Sequence, residues 1–486
     1  MLVWMSLAHG ATPEPSLTPR DCTPSVRAAA RPRVPNAASV RVDPYPILIW
    51  YDPTHAHSVE MLGDVAATLR ASWEVQVDAL GFRPPTLPDR FDGPEFDVYL
   101  IEYQPFAAYV SADLPYDDAS APDDGFNAST AYMVVDRRLP ARWIPSYLAH
   151  EFNHVLQYST DFTEPTLPLW EGTATAAQEW TVGPAGRWEL DVPSLQEASR
   201  FPTLTGDSYA IWYDYGVGYT FEYGTAFWVR FLDEKHGAGD GRGGARLWAN
   251  AAQEGPLNEP DAVDAFATTG GGTFGEVLNE FALVRFLTGP DWDPRGLSDA
   301  AGWGPSFAVA ADPLAAATLE GDHTPSVGAP MITGQVFWEL GADVLDSLPE
   351  GSRLVLEAPS EEGLATGLMV ATWSADGRVG DEGVVGQGSG PDRARVELVA
   401  TGLSRVVVAI TNLGPEGWDG DQFSYVEGDQ VLRVHLAPPE PIDTAESLLV
   451  GGAGCAHVGP GPVALLVTAA AAALRRTAGR SRAPGR

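Results

Sequence analysis

Apolar positions in the first third of the chain fall alternately into strand-length runs and a helical period. Residues 46–51, Pro46-Ile47-Leu48-Ile49-Trp50-Tyr51, are an unbroken apolar run of strand length, which predicts a buried strand. Leu62, Val65, Leu69 and Trp73 recur at helical spacing and predict an amphipathic helix from Val59 to Val77, closed by Gly81 and Pro84-Pro85. Phe96 to Tyr103 and Ala131 to Asp136 read as a second and a third strand, with an acidic loop from Ser111 to Gly125 between them. Ile144, Leu148, Phe152 and Val155 then share one face of a further helix whose first turn holds Pro145. Helical patterns return at Ala226 to Leu232 and at Phe274 to Leu287, where Val277, Leu278, Phe281 and Val284 make the apolar face. From about Val336 the period shortens. Arg353 to Glu357, Leu368 to Trp373, Val396 to Ala400, Val406 to Thr411 and Val431 to His435 read as strands punctuated by Gly, Pro and Asp, the pattern of a β-sandwich. The fold class expected is α+β: a mixed sheet with helices, a helical subdomain, then the sandwich.

The polar positions of the helix after the third strand change this picture from architecture to chemistry. Leu148-Ala149-His150-Glu151-Phe152-Asn153-His154 contains an HExxH motif. Two histidines four positions apart on an α-helix stand about 40° apart, so both imidazoles reach one metal ion. Glu151 lies on the neighbouring flank, within reach of a water on that metal. This arrangement predicts two zinc ligands and a general base. A catalytic zinc takes three protein ligands, and Glu171, near the start of the next helical pattern in Trp170-Glu171-Gly172-Thr173-Ala174, supplies the third.

On these residues the chain resembles the gluzincins, the family of thermolysin-like proteases and zinc aminopeptidases, and within it secreted bacterial zinc metalloproteases. The resemblance covers roughly residues 45–290 and rests on His150, Glu151, His154 and Glu171. It implies a zincin-like metallopeptidase domain, Zn2+ as cofactor, a peptide or protein substrate, and a last strand before the zinc helix that pairs with extended substrate. It also implies a tyrosine hydroxyl donated to the reacting carbonyl. The segment 208–223 offers Tyr209, Tyr213, Tyr215, Tyr219 and Tyr223; Tyr223 is taken as the catalytic candidate, with Phe221 the alternative register. Gluzincins often place an Asp four residues after the ligand Glu. Thr175 stands there in this chain, so Asp161 or Glu179 is looked to as the group that orients a zinc-bound His.

Charge and the two ends fix the expected compartment. A net charge of −35 repels nucleic acid and anionic lipid and suits an exported protein. In the acidic loop, Asp113, Asp117, Asp118, Asp123 and Asp124 read either as a solvated loop or as a structural Ca2+ site. Cys22 and Cys455 lie outside the predicted cores, so packing and metal, not disulfides, must hold the fold. Residues 1–11 resemble the end of a signal peptide, and 12–44 a disordered Pro/Ala-rich leader. The metallopeptidase domain is assigned to 45–290, a linker to 291–332, the sandwich to 333–440, and a linker with a sorting signal to 441–486. That signal joins Gly454-Cys455, an apolar run from Pro462 to Leu474, and a basic end at Arg475, Arg476, Arg480, Arg482 and Arg486. It resembles the Gly-Cys tails of myxobacterial surface proteins. The run is short for a membrane span, so the expectation is transient membrane association and removal, with a plain anchor as the alternative. The whole reads as a secreted or cell-surface zinc metallopeptidase. The rival is a non-enzymatic surface protein whose sandwich binds carbohydrate or protein.

Overall fold

Five strands make the first sheet: β1 (Ala38–Arg41), β2 (Ile47–Tyr51), β3 (Phe96–Ile101), β4 (Ala108–Ala112) and β5 (Ala131–Asp136), in the order β1-β2-β3-β5-β4. In this computed structural model β2, β3 and β5 are parallel, and β1 and β4 close the two edges antiparallel. The described residues are 31–87, 94–103, 107–112, 128–162, 164, 166–183, 195–196, 221–252, 262–328, 330, 332–359, 364–375, 379–390, 393–415 and 431–437. Parallel strands covered on both faces need continuous apolar runs. β3 and β5 have them: Val98, Leu100, Met133 and Val135 face one core, while Tyr99, Tyr132 and Val134 face the other side.

The first of those cores is closed by helices. α1 (Ala56–Ser72) and α2 (Ile144–Tyr158) bring Met61, Val65, Leu69, Ile144, Leu148, Phe152 and Val155 onto the sheet. The last turns after α1, Trp73–Ala79, widen into a π-helix. Such turns are rare and frequently lie at functional sites. α3 (Leu167–Val182) lies on α2, and α4 (Phe221–Gly224), α5 (Ala226–His236), α6 (Gly243–Ala251), α7 (Ala262–Gly270) and α8 (Phe274–Phe286) follow. α8 starts with a capping box in which the Thr273 and Glu276 side chains each accept from the other's backbone N–H.

Two further sheets make the C-terminal part. β6 (Asp312–Pro313), β8 (Gln335–Leu340), β10 (Leu364–Ser374), β11 (Val379–Gly390) and β13 (Leu403–Pro415) assemble in the order β11-β10-β13-β8-β6. β7 (Gly321–His323), β9 (Arg353–Pro359), β12 (Arg393–Val399) and β14 (Leu432–Ala437) assemble as β12-β9-β14-β7. The two sheets share a core of Trp338, Leu340, Leu368, Val370, Val408 and Ile410 on one side and Leu354, Leu356, Val396, Leu432 and Val434 on the other. The alternate residues Phe337, Met369, Ala371, Val407 and Ala409 turn outward, and Ala282, Leu283 and Phe286 of α8 cover them. This is why β13 reads as an unbroken apolar run rather than an alternating one: both faces are covered.

The structure corrects the sequence reading in three places. Residues 12–44 are not leader throughout: β1 forms within them, and Arg31 and Arg41 make ion pairs with Asp97 and Glu95. The strand before the HExxH helix, β5, is paired on both sides; the edge beside that helix is β4, a short, half-buried Ala-Tyr-Val-Ser-Ala strand that the sequence reading passed over and that runs into the start of its acidic loop at Ser111. Residues 291–332 are more than a linker, since β6 pairs with β8 and β7 with β14. The five aspartates from Asp113 to Asp124, the signal-peptide segment 1–11 and the tail lie outside the described residues. Among the described residues no helix is long and apolar enough to cross a membrane.

Candidate metal centre

α2 presents His150 and His154 on one flank because Ile144, Leu148, Phe152 and Val155 lock its other face on the sheet. α3 delivers Glu171 from its first turns, where Pro168 starts the helix. The residue after Glu171 must be small. A Cβ on Gly172 would run into Thr225 Oγ1 and stand 2.9 Å from the Thr225 carbonyl carbon. That approach seats the segment bearing Tyr223 over the site, and Thr225 Oγ1 donates to the Pro168 carbonyl at 2.7 Å.

His150 Nε2 lies 3.0 Å from Glu171 Oε2 and 3.1 Å from His154 Nε2, and His154 Nε2 lies 3.6 Å from Glu171 Oε2. Ligand atoms about 2.0–2.1 Å from a tetrahedral zinc stand roughly 3.3 Å apart, so this triangle has the size of one face of such a site. The three side chains form a group that could hold a metal ion, the one such group of His, Cys, Asp and Glu among the described residues. Charge agrees with geometry. Burial pushes the His154 imidazole down, but the Glu171 carboxylate beside it and the Glu151 charge outweigh this and hold it up at about 9. Burial also pushes Glu171 up, and the two histidines more than reverse it, keeping Glu171 well below the usual carboxylate range. His150 is held below its ordinary value, by burial first and then by the neighbouring His154. The group therefore demands a positive charge at its centre. A divalent cation fits the place of the proton that His154 otherwise carries.

Glu151 stands beside this triangle with a strip of its surface accessible. Burial, and then the Glu171 charge against the opposing pull of His154, raise its carboxyl to about 8, and the Val110 backbone N–H of β4 donates to it. Tyr223 lies against the site, its ring centroid 5.8 Å from that of His150. Tyr209, Tyr213, Tyr215 and Tyr219 lie outside the described residues, as does the Phe221 side chain.

Sequence reasoning overlooked the groups that hold the rings. Amide side chains take the part sought in Asp161 or Glu179: Gln157 Oε1 lies 2.6 Å from His154 Nδ1, and the Gln178 side chain hydrogen-bonds the His150 ring. A signal existed. Asn153 and Gln157 are amides four apart inside a helix that is otherwise apolar on that side, and Gln178 follows Glu171 by two turns. Val110 gave no signal, because its contribution is a backbone N–H.

No family model matches the chain, and no curated protein matches it. Among solved structures it is similar to a 4-O-methyl-alpha-glucuronidase with specificity for decorated arabinogalactans, at 13% identity over 70% of this chain and 51% of that one, with a TM-score of 0.13. The chain thus spans about half of that protein's length, and a likeness at this TM-score carries no argument about fold or chemistry.

Proposed function

We propose that this protein is a zinc-dependent metallopeptidase with a zincin-like catalytic region, in which His150, His154 and Glu171 hold the ion. The observation that carries the reading is the convergence of those three side chains from two helices with Glu151 beside them, its carboxyl raised to about 8. Zinc bound there would supply a Lewis acid and acidify a bound water. The chain's own groups do the rest. A carboxyl titrating near neutral pH can both take and return a proton. Glu151 accepts a proton from the attacking water at a carboxylate oxygen and delivers it to the nitrogen of the leaving amine. The Val110 N–H holds that carboxylate in place. The Tyr223 hydroxyl donates to the oxygen on which charge develops.

A peptide substrate is favoured by β4. It is an edge strand, paired only with β5 among the described residues, and it runs beside the site that its Val110 N–H reaches. An extended backbone can add to such an edge. The test is hydrolysis of an unbiased peptide library by the chain as purified, after chelator treatment, and after zinc is restored. The reading expects activity lost on chelation and recovered with zinc. A chain that retains zinc and cleaves nothing would favour the surface-binding alternative.

A further inference from the structure

A buried chain of amides leads away from His154, and its hydrogen-bond directions are determined at each link. Gln157 Nε2 donates to the Trp170 carbonyl at 2.9 Å and to Asn153 Oδ1 at 3.0 Å. A carbonyl can only accept, so this end of Gln157 is its NH2, and the end facing His154 is its oxygen. Asn153 in turn donates from Nδ2 to Gln76 Oε1 at 3.1 Å. Gln76 Nε2 donates to the Ala149 carbonyl at 2.8 Å and to Thr181 Oγ1 at 3.0 Å. The Thr181 hydroxyl gives its own proton to the Ala177 carbonyl at 2.7 Å, so toward Gln76 it only accepts. Gln76, Asn153 and Gln157 are fully buried. Gln76 sits in the π-helical turn Trp73–Ala79, which aims it between α2 and α3.

We infer that Gln157 is the positioning residue of the metal centre: it fixes His154 with its proton on Nδ1 and the Nε2 lone pair toward His150 and Glu171, and Gln76 with Asn153 keeps it from turning over. This inference rests on the metal reading proposed above and goes beyond the ligand set. Reversing Gln157 would set its NH2 against the Nδ1–H and its oxygen against two acceptors, the Trp170 carbonyl and Asn153 Oδ1. Each such mismatch is costly in a buried site. The same side chain also ties the two helices of the ligand set together. One end holds ligand His154 of α2, and the other holds the carbonyl just before ligand Glu171 of α3. A neutral amide does here what a carboxylate often does, so it orients the ring without adding negative charge.

The test compares Gln157→Leu, Gln157→Glu and Gln76→Leu with the wild-type chain. Zinc affinity is read by chelator competition, coordination by the visible bands of the Co2+-loaded protein, and folding by circular dichroism. Losing a group that orients a metal-bound His typically lowers affinity about 10- to 100-fold. Gln157→Leu should fall in that range with its Co2+ bands moved, and Gln76→Leu should fall less. Gln157→Glu restores an acceptor at Nδ1. It should bind zinc within a few-fold of wild type, with bands displaced by the added charge and with lower thermal stability, because its second oxygen now faces the Trp170 carbonyl and Asn153 Oδ1. A merely structural Gln157 would lower thermal stability and leave affinity and bands alone, and that result overturns the inference. If Gln157→Leu does not fold, Gln157→Glu decides, because unchanged Co2+ bands there are the overturning outcome. A wild-type chain that binds no metal would remove the metal reading and this inference together. Wild-type affinity in Gln157→Leu would remove this inference alone.

Discussion

The region around His150, His154 and Glu171 and the β-sandwich both bury polar side chains, and they differ in where the hydrogen-bond chains begin. In the first region Gln157 Oε1 faces the His154 ring, and from Gln157 the donors run outward through Asn153 and Gln76 to the Ala149 carbonyl. At the seam between α8 and the sandwich, Arg285 is fully buried and donates to Gln196 Oε1, Gln335 Oε1 and the Leu195 carbonyl. Gln335 continues to the Leu278 carbonyl, and Gln196 to the carbonyls of Arg285 and Phe307. Those bonds finish on backbone and stitch α8, the segment at 195–196 and β8 together. Both chains finish on backbone carbonyls, and what separates them is the group at which the first begins, the His154 ring.

The largest test of this contrast removes the group at the start of the first chain. His154→Ala and Glu171→Ala should each lose most of the zinc, as read by metal analysis of purified protein, because a catalytic zinc needs all three protein ligands. Full retention in both variants would break the ligand assignment. The matching test in the sandwich is Trp338→Ala. Trp338 is fully buried between the two sheets, and deleting such a side chain costs about 3–5 kcal/mol. Denaturant unfolding should show that loss, while zinc per folded chain stays as in wild type. Loss of zinc in that variant would show that the two regions are not independent in the way described.

Smaller effects sharpen the picture of the site. Removing one donor to a developing oxyanion lowers kcat by about 10²–10³, so Tyr223→Phe should fall toward the low end of that range with KM nearly unchanged. An unchanged kcat would return Tyr223 to a packing role against His150. The metal-free chain should also show a pH signature. The folded values of Glu151 and His154, about 8 and about 9, lie above their ordinary 4.5 and 6.5. Raised groups favour folding while protonated, and that contribution is lost as pH rises through the folded values. Unfolding in chelator should therefore show stability falling from about pH 5, most steeply between 6.5 and 8 where the two windows overlap, and levelling above 9. A flat profile would contradict the charge pattern assigned to the site.

Much of this contrast was legible in the chain, and the illegible part has physical causes. The apolar periods at 46–51, 59–77, 96–103 and 131–136 match β2, α1 with its π-turn, β3 and β5, because burial demands those periods. HExxH and Glu171 were legible because chemistry restricts which residues can hold a metal. β4 was not, since an edge strand needs only one covered face and Ala-Tyr-Val-Ser-Ala carries too little apolar weight. β1 was hidden for the same reason, with three of its four residues exposed. Val110 was invisible because a backbone N–H leaves no mark in the sequence. Gln76, 77 residues before Asn153 in an ordinary-looking helix, became significant only when the π-turn set it against α2. The partner choice at His154 was misjudged because carboxylates were sought where amides serve.

The most direct test of the central claim is the turnover of Glu151→Gln beside wild type at equal zinc content. The substitution removes the base and leaves His150, His154 and Glu171 in place. General acid–base groups are worth about 10²–10⁴ in rate. The account predicts a chain that holds zinc as wild type does and cleaves peptides at least a hundredfold more slowly. Equal zinc with undiminished turnover would contradict it.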